Sequence, residues 1–549
     1  MSLQNFSYFF FLAITVCLYL QLPKKAQTPF LLLASIGFYA KNLAVGYQSN
    51  LESSGAASAL FSCAVSAGLV VFLAVFVWWA GLRLARANAA VLAQSTTDGA
   101  PEHAAALATQ AKATLLRRCV LALLGILAIF KYYNLSPLPT LLDGSILAKL
   151  PFPLGISFFT FAAIAYLVDV ARGDCKAEES LVHLSVFLFF FATVTSGPIC
   201  RGGKLLPQLH EEHRYDTTRT VNALRLFALG LFKKIAIADL LGLLADQVFE
   251  NIPSYGAPLL LLALVCYTFQ LYFDFAGYSD LARASGLFLG LDLPENFKTP
   301  FFATNFSGFW ARWHISLSSW LQDYLFMPLA WADVAKLPFV GKKLATKWEH
   351  FPVELCVFLV FFCSGFWHGN TLPFVIWGIF QAVCRVGEEL CHRKFGRPKR
   401  RGVPQYKLWG KRAAVFALWS FGMIFFRIGS GGSDSAMADC AAFFAGLCQN
   451  WSPALFISQL NSAVAAGFYQ HQLLQIAYLL FAILTLSIGI YLDAQRFFHF
   501  KDKPSEQVLA AQKPAVKWAL YYLLILCIFA GLIIQNGGFS GGSFAYAQY

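Results

Sequence analysis

The feature that most constrains this chain is a series of long apolar stretches separated by short polar loops. A run of about 20 such residues crosses the ~30 Å hydrocarbon core of a bilayer as an α-helix. In lipid every backbone N–H and C=O needs an internal partner, which leaves helices and closed barrels as the spanning structures. Composition points the same way: 58% of residues are hydrophobic and 13% charged, against roughly 45–50% and about 25% in a soluble domain. A soluble enzyme, a disordered tail and a fibrous protein are excluded. The expected fold is an all-α polytopic membrane protein.

The 42 Lys+Arg outnumber the 29 Asp+Glu, giving a net charge of +13. These basic residues gather in short loops between apolar spans, where they mark the cytoplasmic side. The basic–aromatic stripe that single-stranded nucleic acid needs is missing, so nucleic acid is not an expected partner. Residues 3–22 lack a basic stretch before them, and Lys24 and Lys25 follow. They read as a retained first helix with its N-terminus outside rather than a signal peptide.

Following the same rule onward gives ten crossings: 3–22, 29–46, 57–82, 114–131, 152–171, 222–243, 257–276, 413–429, 473–492 and 516–535. Both termini then lie outside. The loop 393–412 holds nine Lys/Arg and no acid, which places it in the cytoplasm, while 430–472 has Asp434 and Asp439 but no Lys or Arg and should lie outside. That outer segment is partly amphipathic. Its face of Leu455, Phe456, Leu460 and Val464 would either dock an extracytoplasmic partner or rest on the bilayer.

Segments 181–200, 306–331 and the pair 352–369 and 371–392 begin and end beside basic flanks, so they read as re-entrant or broken. Irregular backbone at membrane depth is tolerated where it lines a cavity or is buried in protein. None of the 13 cysteines forms a CxxC pair. Cys440 and Cys448 are separated by about 12 Å if helical, too far for a bridge. Zinc, nucleotide and serine-hydrolase motifs are absent, and no metal or resident cofactor is expected.

Ionisable groups inside such segments are costly and therefore mark candidate sites. In FFCSGFWHGNTLPF, 361–374, Gly365 and Gly369 flank Trp367 and His368 and permit a tight turn with close backbone approach. An imidazole is neutral near pH 7, which suits a buried general base; the alternative is a histidine that simply ends a helix. FWARWHISLSSWLQDYLFMPL, 309–329, carries Arg312, His314, Ser316, Ser318, Ser319, Gln322 and Asp323 among inward-spaced tryptophans. His314 and Asp323 do not share a helix face, so spacing supports no dyad, and an interfacial amphipathic helix is the plain alternative. In 269–297, Gln270, Asp274, Ser279, Asp280 and Arg283 interrupt an apolar span. Asp280 and Arg283, three apart, are suited to pair on one helix as a structural ion pair.

These motifs together resemble the membrane-bound O-acyltransferase (MBOAT) family. The resemblance runs through QLYFDFAGYSDLA, PENF, WHISLSSWLQDYLFMPL and FWHGNTLPFVIWG, in that order, with FKYYN, SGPICRGGKLLPQL and LGLFKKIAIAD upstream. It covers about residues 120–430 and is closest to the bacterial branch that acylates exported polysaccharides. It implies an MBOAT-like bundle of about 10–13 helices with re-entrant segments around a central tunnel. The family's catalytic histidine falls on His368 and its second polar position on His314. Arg312, Trp313, Ser316, Ser319, Asp323, Trp367, Asn370, Gln270, Asp274 and Asp280 become tunnel candidates. Domains follow as 1–113, N-terminal helices and a cytoplasmic loop; 114–429, the catalytic core; 430–472, the outer segment; and 473–549, C-terminal helices.

By the same resemblance, acetyl-CoA on the cytoplasmic side is the donor. The acceptor is a polysaccharide hydroxyl or an extracytoplasmic acetyltransferase partner protein, and the protein sits among the lipids of a bacterial inner membrane. One departure is a basic insert, 332–350, between the two histidines, which stand 54 residues apart. A reading of a different class is a transporter or flippase whose intramembrane polar residues line a substrate path.

Overall fold

The computed structural model describes residues 3, 6–54, 56–96, 102–133, 153–334, 349–396, 403–431, 435–467 and 472–536. The Pro-rich loop after 133, most of the 332–350 insert, the centre of the basic loop and the terminal FAYAQY lie outside the described residues. Among those described, the regular structure is helical, with no strand. Seven helices are long and apolar enough to cross a membrane: Lys24–Gln48, Ala56–Ala93, Ala106–Tyr132, Ala257–Phe288, Gln405–Ser430, Leu473–Phe498 and Pro514–Ile534. The chain is a multi-pass, all-α membrane protein.

Three of the ten expected crossings take another form. Stretch 3–22 is helical over Phe6–Tyr19, 14 residues, or about 21 Å at 1.5 Å per residue. Stretch 152–171 gives the 17-residue helix Ile156–Arg172, ended by Gly155 (φ 74°) and Gly173 (φ 89°). A Cβ on Gly155 would lie 1.8 Å from the Val194 carbonyl oxygen, so the helix begins where only glycine fits. From Ile156 to Leu167 every residue of that helix is buried, which is why this stretch is apolar all round. Stretch 222–243 is broken by a π-helix, Phe232–Ala238, between Thr217–Leu231 and Asp239–Phe249. Hydropathy averages over a window and is blind to such an interruption.

The chain divides into two compact units, Met1–Ala223 with Ala282–Pro294, and Leu224–Leu281 with Glu295–Tyr549. In the first, buried polar side chains tie helices to irregular backbone. Gln27 donates to the His213 carbonyl (2.6 Å) and accepts from the His213 N–H (3.0 Å), and Thr28 donates to the Leu209 carbonyl. Ser35 Oγ accepts from the Phe191 N–H. Segment 181–200 is broken, as its flanks indicated: the helix Leu181–Phe189, capped by Ser180, gives way to buried irregular backbone.

The helix Ala257–Phe288, which belongs to the second unit as far as Leu281, has 78% of its most apolar window buried by protein. It extends twelve residues beyond the expected span because its polar second half is shielded by protein rather than lipid. Gly277 and Gly230 meet backbone to backbone, a Cβ on either falling within 3.0 Å of the other's carbonyl oxygen. Small residues allow helices to approach this closely. The helices Val353–His368 and Leu372–Phe395 form a hairpin pressed together at Gly365 and Gly378, where a Cβ on Gly365 would lie 2.5 Å from the Phe374 carbonyl.

The segment 430–472, expected outside, contains two helices, Ala436–Leu447 and Pro453–Gly467. The apolar face, expected either to dock a partner or to rest on the bilayer, is partly covered by the chain itself. Val464 is fully buried and Leu455, Phe456 and Leu460 half-buried. Gln459 accepts from the Gly256 N–H (2.9 Å) and donates to the Ser254 carbonyl (3.1 Å). An amphipathic pattern identifies a buried face without saying what buries it.

The charge rule leads to a direct test of topology. In a background without native cysteines, a membrane-impermeant thiol reagent on intact cells labels a cysteine placed at Ser435, which is exposed. It spares one placed at Gly402, in the basic loop. The reverse pattern overturns the map.

Candidate active site

His368 is the last residue of the helix Val353–His368. Sixteen residues span about 24 Å, less than the ~30 Å of hydrocarbon. Its ring is buried in an aromatic box, with centroids 5.1 Å from Trp377, 5.1 Å from Phe426, 4.6 Å from Trp367 and 6.4 Å from Phe374. The chain turns at once because Gly369 is fully extended (φ −171°), and a Cβ there would stand 2.2 Å from the Phe374 ring.

His314 sits at a second break. The segment 306–330, far from being one amphipathic helix, runs as Phe306–Trp310, Ile315–Leu321, a π-helix Gln322–Phe326 and a last turn. His314 itself has φ 43°, the left-handed region, which is strained for a residue with a Cβ. Asn296 of PENF secures it: its carbonyl accepts the Ile315 N–H (2.9 Å), its Oδ1 the Ser316 N–H (3.2 Å), and its Nδ2 donates to Ser279 Oγ (3.1 Å). The imidazole is buried edge-on against Phe275, centroids 4.7 Å apart.

A chain of ring contacts joins the two histidines. From His368 it passes to Trp377, then Trp310 (6.2 Å), Trp419 (5.6 Å) and Trp313 (4.7 Å), the neighbour of His314. The structure thus brings His368, Trp367, His314, Trp313 and Ser316 into one buried aromatic region, with Ser319 half-buried, its hydroxyl donating to the Ser316 carbonyl. The other candidates divide. Arg312 faces elsewhere, donating to Asp502 (2.7 Å) and the Lys298 carbonyl (2.9 Å), so it fastens loops. Asp323 is half-buried on the π-helix, and Asn370 is exposed at the hairpin turn.

Asp274 and Asp280 belong to an ion-pair network absent from the sequence reading. Lys234 Nζ lies 2.7 Å from both Asp274 and Asp239, and Lys233 Nζ 2.6 Å from Asp280. Asp280 thus has Lys233 as a partner, from a different helix and outside the reach of helical spacing. Both lysines belong to the π-helix Phe232–Ala238, a local distortion common at functional sites. Their signal, two lysines within an apolar run of FKKIAIA, was in plain view. Gln270 is buried and its Oε1 has no hydrogen-bond partner among the described residues.

In the first unit Glu178, His183 and His210 place ligand atoms within 4.8 Å of one another. The imidazoles, however, stack at 4.1 Å and 6°, and His210 Nε2 is spent on Glu178 at 2.7 Å. Stacked rings direct their lone pairs side by side, and these do not converge on one ion.

Buried imidazoles at breaks in a polytopic helical bundle make this region the candidate site of a membrane-embedded protein. Residues 177–428 match the membrane-bound O-acyltransferase (MBOAT) family. The "Probable alginate O-acetylase AlgI" of Pseudomonas putida is 32% identical over 444 residues, 78% of this chain and 82% of that protein. A peptidoglycan O-acetyltransferase of Helicobacter pylori is 33% identical over 304 residues, 50% of this chain and 54% of its own. A teichoic acid D-alanyltransferase of Streptococcus thermophilus is 30% identical over 297 residues, 51% and 68% of the two chains. The chain belongs to the MBOAT family and is an acyltransferase.

Proposed function

We propose that this acyltransferase moves acetyl from cytoplasmic acetyl-CoA to a hydroxyl on the far side of the membrane. The acceptor is an exported polysaccharide or peptidoglycan, reached directly or through an extracytoplasmic partner protein. The relatives' names support the acceptor class, and the basic loops support a cytoplasmic, anionic donor. The observation that carries the reading is His368, a buried titratable group at the end of a helix too short to cross.

His368 acts as general base. It takes the acceptor hydroxyl proton as the oxygen attacks the thioester carbonyl. The C–O bond forms, the C–S bond breaks, and the departing CoA sulfur leaves as the thiol once the imidazolium returns the proton. His314, at the other end of the tryptophan chain, orients the acceptor. Water exclusion by the aromatic box favours transfer over hydrolysis.

Purified protein in lipid, given acetyl-CoA labelled in the acetyl group, tests the reading. Label appearing on the saccharide acceptor supports it, and intact thioester in the presence of acceptor and partner overturns it. In the same assay His314→Ala lowers turnover about 10²-fold while leaving more activity than loss of His368. Full activity of that variant returns His314 to a structural role.

A further inference from the structure

Around Trp377, which touches the histidine, lies a set of buried polar atoms without hydrogen-bond partners among the described residues. Gln381 is fully buried, and neither its Oε1 nor its Nε2 has a hydrogen-bond partner among the described residues. The same holds for the indole N–H groups of Trp377, Trp310 and Trp419. Burying an unpartnered amide costs roughly 1–3 kcal/mol, so four such side chains together are a substantial burden on the fold. Native proteins satisfy nearly all buried polar groups; concentrated exceptions mark a place where something else supplies the bond.

Their placement is specific. Gln381 stands four residues after Trp377 on the helix Leu372–Phe395 and so shares its face. Its Nε2 lies 2.7 Å from where a Cβ of Gly422 would be, on the facing helix Gln405–Ser430, one turn from Trp419. Glycine at 422 is what leaves room for the carboxamide. Trp377 contacts both His368 (5.1 Å) and Trp310 (6.2 Å). The set is rich in donors: three indole N–H groups and the carboxamide NH2, against a single carboxamide oxygen. Such a lining suits a small, uncharged group that only accepts hydrogen bonds.

We propose that Gln381, with Trp377, Trp310 and Trp419, forms the binding site for the carbonyl of the acyl group that His368 transfers. This rests on the acyltransferase reading above. As the acceptor oxygen adds to the carbonyl carbon, the electron pair of the C=O bond moves onto oxygen. Preorganised N–H donors in a dry site stabilise that charge more than they stabilise the ground-state carbonyl. When the C–S bond breaks, the pair returns. An ordered water would offer Gln381 the same hydrogen bonds, and the experiment separates the two.

The test compares wild type with Gln381→Met, which keeps the length of the side chain and removes its polar atoms, measuring kcat, KM and Tm in the same lipid. An acyl-carbonyl site predicts a kcat lower by about 10²-fold, a KM within about threefold of wild type, and a Tm equal or higher, because the orphaned amide is gone. A kcat within twofold of wild type overturns the proposal and assigns the amide to water. A Tm that falls along with kcat also overturns it, since the carboxamide then holds the fold. A wild-type protein that turns over no acyl thioester overturns the acyltransfer reading itself, whereas an active Gln381→Met refutes this site alone.

Discussion

Replacing His368 by Ala abolishes measurable acyl transfer, a loss of about 10²–10⁴-fold for the base alone, while the protein still inserts and folds. The expectation follows from what the ring touches. Its contacts are aromatic rings of the hairpin and of the helix Gln405–Ser430, and the turn it begins is set by Gly369, not by the imidazole. Truncation leaves a small cavity in the box and lowers stability moderately. His368→Gln keeps more of the volume and separates packing from chemistry: it restores Tm toward wild type but no activity. The assay follows labelled acetyl from thioester to saccharide, beside a Tm and a size-exclusion profile for each variant. Normal acetylation by His368→Ala sinks the assignment of the base.

The class of fold and its most informative motif were legible in the sequence for physical reasons. Apolar length and loop charge respond directly to the bilayer, and a histidine flanked by glycines in an apolar run has few structural explanations. The breaks were legible only in outline. Basic flanks showed that 306–331 does not cross simply, but the left-handed backbone at His314 depends on Asn296, eighteen residues upstream. Gln381 was passed over because one polar residue in a helix of mixed character carries no signal until its surroundings are known. Its significance lies in Gly422, in Trp377 one turn away and in two indoles from other elements.

The ion pairs were hidden for a different reason. Lys233 and Lys234 fall inside the expected crossing 222–243, where the charge rule gives them no role, and helical spacing offered Asp280 a local partner in Arg283. The fold also supplies Lys233, 47 residues away, and neighbouring lysines point to different sides of their helix. Lys233 reaches Asp280 while Lys234 reaches Asp239 and Asp274. Sequence spacing finds pairs within one helix and is silent about pairs between helices.

That network yields the largest expected loss of stability. Lys234 is 2% exposed, between Asp239 at 10% and Asp274 at 1%, and lies 2.7 Å from each. Lys234→Met preserves the aliphatic stem but removes a cation shared by two buried carboxylates. Breaking a buried pair by deleting one partner costs about 3–5 kcal/mol, and here two carboxylates are left facing each other. Total stabilities of about 5–15 kcal/mol leave little after such a loss, so folded protein in the membrane drops sharply and Tm falls by many degrees. The triple variant Lys234→Met, Asp239→Asn, Asp274→Asn removes the stranded charges and recovers much of the lost Tm. Recovery separates the effect of unpaired charge from mere loss of packing, because neutral amides fill the same space as carboxylates. A single variant as stable as wild type means that Lys234 does not neutralise these two acids. If the triple variant folds but transfers no acetyl, the network supports the site as well as the fold, since Asp274 and Gln270 stand one turn apart on the interior helix.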